Sequence, residues 1–304
     1  MTVYGFHWRR YRARFRQPLR TAHGFWTWRE GLVVELWRGD RCGRGEIAPL
    51  PDFGSETLAA AIACCQQWSA TVVDADLDAI PATLPACRFG FGSALRQLEQ
   101  EGPTEPAEVA SAVLLPTGAA ALALEQFPAG TCFKWKIGVA APDQEQRWLK
   151  QLLRNLPPTA VVRLDANASL TPEDTRSWLR CCDRLGRVEF LEQPLPPGQE
   201  AVMRQLAAGY RTPIALDESI AGLAQLRRWV DWPGPLVLKP AIAGDPRDLL
   251  AFLAQRPLDL VISSVFEVDA GRPMVQTLAQ RCGNPHRAMG LGTADWLEVP
   301  QWLS

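Results

Sequence analysis

The sequence predicts an α/β protein in which an α+β unit precedes a closed barrel of alternating strands and helices. Three observations lead there. The chain has 304 residues, too many for one small core and about right for a barrel with an added domain. From about residue 111 onward, short apolar β-rich runs recur eight times, most of them separated by amphipathic stretches. Most of these runs end in a polar group, as strand ends do at the mouth where barrel enzymes carry their chemistry.

The first hundred residues differ from the rest. The start is basic, with Arg9, Arg10, Arg12, Arg14 and Arg16, and reads as the solvated face of a strand. Residues 33–37 read as a strand. Arg38-Gly39-Asp40-Arg41 supplies turn chemistry, and Gly45-Glu46-Ile47-Ala48 follows. Helical patterning covers 56–69 and 91–101. Strands first and helices after indicate an α+β unit. A loop over 101–105 leads into the second region.

The eight runs are 112–115, 132–137, 161–164, 188–191, 214–216, 236–238, 258–262 and 288–291, with helical patterning at 144–156, 171–185 and 246–255 among the intervening segments. Continuous apolar runs are what buried parallel strands look like. The alternative, an open doubly wound sheet, usually carries a Gly-rich phosphate turn after its first strand, and this chain has none.

Hydrophobic residues make up 47%, charged residues 21%, and the net charge is −1, an ordinary balance for a soluble globular protein. Nothing in that balance suggests nucleic acid, whose binders carry a basic face. No apolar run is long enough to span a bilayer, and the N-terminus lacks the apolar stretch of a signal peptide, so a cytoplasmic location is expected. The eight cysteines form no C-x-x-C pair and read as small apolar side chains in a reducing compartment. Nothing in the sequence bears on oligomeric state.

The strand ends read Phe133-Lys134-Trp135-Lys136, Arg163-Leu164-Asp165-Ala166-Asn167, Phe190-Leu191-Glu192-Gln193-Pro194, Ala215-Leu216-Asp217-Glu218-Ser219, Val237-Leu238-Lys239-Pro240 and Ile262-Ser263-Ser264. Asp165 and Glu192 are 27 positions apart, and Glu192 and Asp217 are 25 apart. Each interval is about one βα unit, so three acids come from three consecutive strands. Three buried carboxylates repel one another and need a cation, and all-oxygen ligation favours Mg²⁺. Lys134 and Lys136 share a strand face. Lys239 ends the sixth run, across the barrel from them. A lysine near a divalent cation and a second ammonium has a depressed pKa and can act as a base near neutral pH. Any one of these groups alone is more ordinarily a helix cap or a solvated charge. Their joint occurrence, in order and at barrel spacing, points to an active site.

With K-x-K, D-x-N, E-Q-P, D-E-S and a sixth-strand lysine in that order, nearly the whole chain resembles the enolase superfamily in its muconate-lactonizing subgroup. The resemblance implies a (β/α)7β barrel over 106–293 with an α+β N-terminal capping domain over 1–105, completed by the C-terminal tail 294–304. It implies Mg²⁺, with Mn²⁺ as a substitute ion, on Asp165, Glu192 and Asp217. Further segments narrow it: Pro18-Leu19-Arg20-Thr21, Arg29-Glu30-Gly31, Gly45 to Pro51, Ser263-Ser264 with Glu267, and Gly290-Leu291-Gly292-Thr293. These are similar to the hydro-lyase branch that forms an aromatic carboxylate in menaquinone and phylloquinone biosynthesis. Dipeptide epimerases of the subgroup usually carry an aspartate pair after the eighth strand, where this chain has Gly-Leu-Gly-Thr.

On that resemblance the expected reaction is dehydration of 2-succinyl-6-hydroxycyclohexa-2,4-diene-1-carboxylate. Lys136 is the expected base, Lys239 the cation on the opposite face, and Lys134 the group that keeps Lys136 deprotonated. Asn167 and Glu218 are expected to orient ligands or lysines. Arg163, Ser263, Ser264, Gly290, Leu291 and Gly292 are expected around the substrate, with a loop over 20–26, hinged at Gly24, closing the mouth. Competing expectations are an N-succinylamino acid racemase on the same scaffold, a Schiff-base aldolase using Lys239, and a non-catalytic barrel.

Overall fold

The structure is a computed structural model and describes residues 2–21, 24–99, 108–124, 126–127 and 131–303. The N-terminal unit is built on a long antiparallel hairpin of β1 (Val3–Thr21) and β2 (Gly24–Arg38), followed by β3 (Arg41–Ile47) on the outer edge of β2. Period-2 patterning drives the hairpin. Tyr11, Ala13 and Phe15 are buried, while Arg10, Arg12, Arg14 and Arg16 face solvent, so the basic run is a solvated strand face. These arginines cover aromatic and acidic neighbours: Arg12 lies 4.2 Å over Trp28, and Arg10 bonds Glu30 at 2.7 Å.

After β3 come α1 (Leu58–Cys65), β4 (Thr71–Val73, paired with β1), α2 (Asp74–Asp78) and α3 (Pro85–Glu99). Thr57 caps α1 by accepting from Ala60 N at 3.1 Å. The sequence pattern starts a helix at 91, yet α3 starts at Pro85. The buried Glu56 carboxylate accepts from Ala86 N and Cys87 N and so caps the helix from 30 positions away. Helix α3 lies directly on β3. A Cβ at Gly45 would stand 1.9 Å from the Gly90 carbonyl oxygen, so only glycine permits this approach. Gly45→Ala is expected to destabilise the fold by about 1–3 kcal/mol or more through overpacking, measured as a fall in Cm at unchanged m-value.

The second unit alternates β5 (Val113–Leu114), β6 (Cys132–Lys136), α4 (Pro142–Asn155), β7 (Val161–Asp165), α5 (Pro172–Leu185), β8 (Val188–Glu192), α6 (Glu200–Ala207), β9 (Ile214–Ala215), α7 (Leu223–Arg228), β10 (Leu236–Leu238), α8 (Pro246–Ala254), β11 (Leu260–Ile262) and α9 (Arg272–Cys282). Proline opens α4, α5, α8 and α9, where its missing N–H is no loss. Strands β5 to β9 are parallel and adjacent in order, and β10 pairs with β11. Parallel bridges close the ring: Leu216 to Leu236, Ser263 to Gly290, and Met289 to Ser111. The eighth run closes the barrel through these bridges rather than as a full strand. Inside the ring, Phe190, Ala215, Val237 and Val261 form an apolar layer. The chain end returns to the first unit as β12 (Leu297–Glu298), antiparallel to β1 at Arg14 and Phe15.

Buried charges join the two units. Arg29 of β2, 3% exposed, donates to the carbonyls of Ala48, Pro49 and Val265. Glu46 of β3 accepts from Val268 N at 2.8 Å and from the Tyr11 hydroxyl. Burial, reinforced by nearby Glu267 and opposed by the Tyr11 bond and Arg29, pushes the Glu46 carboxyl up to about 8. A carboxyl raised on folding makes the folded state bind more protons than the unfolded one. Its contribution therefore falls as pH rises from about 4.5 to about 8 and is constant outside that window. Glu46→Gln is expected to flatten that part of the stability–pH curve, read from urea midpoints at pH 5 and pH 8.

Candidate active site

At the C-terminal ends of the barrel strands the apolar runs give way to charge. Lys136, Asp165 and Glu192 are level in register across β6, β7 and β8, and Asp217 follows β9 by two residues. Asp165, Glu192 and Asp217 are 6%, 1% and 4% exposed. The strand-end reading thus brings the three acids to one place. Lys134 Nζ sits 2.8 Å from both Asp165 Oδ2 and Glu192 Oε1, and Lys239 Nζ is ion-paired with Asp217. Lys239 also lies 4.8 Å from the ring centroid of Phe53, from the N-terminal unit.

The electrostatics follow from burial. Lys134 is held well above the usual lysine range: burial lowers it, but Asp165, Glu192 and Asp217 outweigh that. Asp165 is held down against burial by Lys134, with a smaller contribution from Lys136. Glu192 is pushed up by burial, with Asp165 and Asp217 adding to the effect. Glu218 is pushed up by burial and by Asp217 and Asp165, and its Oε2 is buried with no hydrogen-bond partner among the described residues.

These residues fit a hard divalent cation. Four carboxylates converge, one oxygen is orphaned, and burial leaves Glu192 and Glu218 short of compensating charge. Among the described residues the acids do not close into a ready-made metal cage, since the Lys134 ammonium stands between Asp165 and Glu192.

The supporting groups are ordered. Asn167, in a left-handed conformation with φ 42°, donates Nδ2–H to Glu218 at 3.0 Å, and its backbone N–H donates to Asp165 Oδ1. Sequence reasoning did not single out Gln193. It is fully buried, its Oε1 accepts from Asp217 N and Ser219 N, and its Nε2 donates to Leu195 O and Ser219 Oγ. Its place in the E-Q-P motif was the available signal.

A cavity of about 970 Å³ opens over these groups. Its walls come from both units: Leu19, Phe25, Trp26 and Phe53 from the first, and Lys136, Ser263, Ser264, Gly290 and Gly292 from the barrel. The expected lid over 20–26 is the tip of the β1–β2 hairpin, strand through Thr21 and again from Gly24, rather than a loop. Gly24 has φ 114°, and Ala22 and His23 lie outside the described residues. Arg163 borders the cavity but is 2% exposed. It donates Nε–H to Glu189 at 2.7 Å, stacks 4.8 Å over Phe190, and joins an Arg287–Asp259 network beneath the apolar layer. Its charge is thus already matched by a protein carboxylate. Leu291 packs against the core.

Comparison with known proteins agrees with this geometry. Residues 9–98 match the family model "MenC, N-terminal domain", and residues 118–242 match "Enolase C-terminal domain-like". An o-succinylbenzoate synthase of Thermosynechococcus vestitus is 41% identical, over 96% of this chain and 94% of its own. One from Yersinia enterocolitica is 32% identical over 90% and 86%. The crystal structure of o-succinylbenzoate synthase from Thermosynechococcus elongatus, complexed with Mg in its active site, superposes with a TM-score of 0.88 at 40% identity, covering 99% of this chain and 96% of that one. An L-Ala-D/L-Glu epimerase from Bacillus subtilis shares the fold, with a TM-score of 0.82 at 16% identity, 98% of this chain and 92% of that one covered. With relatedness running through both the cap and the barrel, the chain belongs to the o-succinylbenzoate synthase family of the enolase superfamily.

Proposed function

We propose that the chain dehydrates 2-succinyl-6-hydroxycyclohexa-2,4-diene-1-carboxylate to 2-succinylbenzoate, the hydro-lyase step that its family performs in quinone biosynthesis. The observation that carries this reading is the set of three buried carboxylates on consecutive strands, flanked by Lys134 and Lys136 on one side and Lys239 on the other. Asp165, Glu192 and Asp217 would hold Mg²⁺, which supplies Lewis-acid stabilisation of charge developing on the substrate carboxylate. Lys136 removes the proton alpha to that carboxylate and returns it to the departing hydroxide as water leaves. Lys134, ion-paired to two acids, stays protonated and disfavours a second charge on Lys136. Lys239 presents a fixed positive charge to the opposite face. Asn167 orients Glu218. Trp26 and Phe53, which line the cavity, cover the ring against water.

The domain division we favour places the cap at 1–105 with the tail 294–304 and the barrel at 106–293. Pairing of β12 with β1 supports it, and the linker expected at 101–105 lies outside the described residues. The ligand is a small carboxylate, and no helix among the described residues is long and apolar enough to cross a membrane.

The test is an ultraviolet assay of the purified protein on the cyclohexadiene carboxylate, with Mg²⁺ and with EDTA. Fast conversion that EDTA abolishes is the expected result. No conversion by protein shown to bind Mg²⁺ would move the activity to another carboxylate.

A further inference from the structure

The residues that continue β11 carry two adjacent serines at the cavity, and hydrogen-bond accounting separates them. A hydroxyl has one proton to donate and two lone pairs. Ser264 gives its proton to Glu267 Oε2 at 2.5 Å, and its oxygen accepts from Phe266 N at 2.9 Å and from the Thr293 hydroxyl at 2.8 Å. All three capacities are used inside the protein. The second oxygen of Glu267 accepts from Val265 N at 2.9 Å, and the carboxylate is 2% exposed. The Ser263 hydroxyl makes no hydrogen bond among the described residues and borders the cavity beside Gly290, where a Cβ would stand 2.9 Å from Ser263 Oγ.

The same turn holds Phe266 at φ 63°, a left-handed conformation that an aromatic residue adopts only when its surroundings enforce it. Those surroundings span both units. The Phe266 ring packs edge-on against Phe15 at 5.1 Å and Trp296 at 5.9 Å. Arg29 holds the carbonyl of Val265, and Glu46 holds the N–H of Val268. Phe266 itself lines the cavity.

We propose that Glu267 is a positioning residue that assigns the two serines different roles. Ser264, bound to Glu267, braces the turn that sets Phe266 as a cavity wall, and Ser263 alone presents a hydroxyl proton to the polar end of the substrate's succinyl arm. This rests on the proposed dehydration of a succinyl-bearing carboxylate and on the expectation that Ser263 and Ser264, which line the cavity, stand around that substrate. The consequence is that the cap, through Arg29 and Glu46, helps fix the wall against which the arm is read.

The experiment compares kcat, KM and Tm for Ser263→Ala, Ser264→Ala, Glu267→Gln and the Ser264→Ala/Glu267→Gln double variant. Thr293→Val serves as a milder probe of the brace should Glu267→Gln fail to fold. Ser263→Ala is expected to raise KM about tenfold, the effect of one lost hydrogen bond to a charged group, with the change falling on KM rather than kcat. Ser264→Ala and Glu267→Gln are each expected to lower Tm by several degrees. The double variant should lose no more than the larger single loss, because the two groups act as one unit. Glu267→Gln should also raise KM severalfold with little change in kcat, as the wall shifts. Additive Tm losses in the double variant would overturn the brace. Ser264→Ala that raises KM as Ser263→Ala does, at wild-type Tm, would overturn the division of roles. Wild-type KM in Ser263→Ala, with the Tm coupling intact, would overturn the placement of the succinyl arm and leave the brace standing.

Discussion

Lys136→Ala is expected to reduce kcat by about 10³-fold or more, the upper range for loss of a general base, while Tm and Mg²⁺ binding stay near wild type. The structure ties the other two lysines to the carboxylates of the site. Lys134 bridges Asp165 and Glu192, and Lys239 pairs with Asp217 and faces the Phe53 ring. Both are engaged as cations. Lys136 stands at the end of β6, half-buried, level with Asp165 and bordering the cavity. Lys136→Arg sharpens the test, because a guanidinium keeps the charge but does not give up its proton. Loss of turnover in both variants identifies a base. Retained turnover in the arginine variant would show that Lys136 contributes only charge, and the proton transfer would belong elsewhere.

The acids and lysines were legible in the sequence because a parallel strand buried on both faces is an apolar run, and the polar residue that ends it stands out. Repetition at one βα interval then places Asp165, Glu192 and Asp217 on neighbouring strands without knowledge of any contact. The tail pairing and the early start of α3 were not legible, since Leu297 and Glu56 act on residues remote in sequence. Nor was the fate of individual side chains. Arg163 shares a strand face with Asp165, yet its guanidinium turns to Glu189, one strand over and 26 positions on. Ser263 and Ser264 are identical in type and adjacent, and only the positions of Glu267, Phe266 and Thr293 tell them apart. The aromatic cover from Trp26 and Phe53 depends on docking of the cap, which no local pattern records.

Glu192→Gln is expected to have opposite effects on stability with and without metal. Glu192 is 1% exposed, and burial together with Asp165 and Asp217 disfavours its charge. In EDTA the variant removes that destabilising charge while Lys134 keeps Asp165 as its partner, so its Tm should equal or exceed that of the wild type. With Mg²⁺ the order should reverse. Changes to groups that merely support a metal ligand already weaken binding by about 10–100-fold, and removal of a ligand charge should weaken it at least as much. A ligand that binds only the folded state stabilises by about 2.7 kcal/mol at a concentration of about 100 Kd. The wild type should therefore gain several degrees on Mg²⁺ addition where the variant gains almost none, and turnover should be lost. Thermal melts of both proteins in EDTA and in millimolar Mg²⁺ read all four states. A variant that keeps the Mg²⁺-induced rise would remove Glu192 from the metal set. A variant less stable than wild type in EDTA would mean that the Lys134 ion pair outweighs the burial of the Glu192 charge, so that the site is stabilising in itself. The predicted crossing would show instead that this barrel carries its carboxylates at a cost in stability that the bound cation offsets.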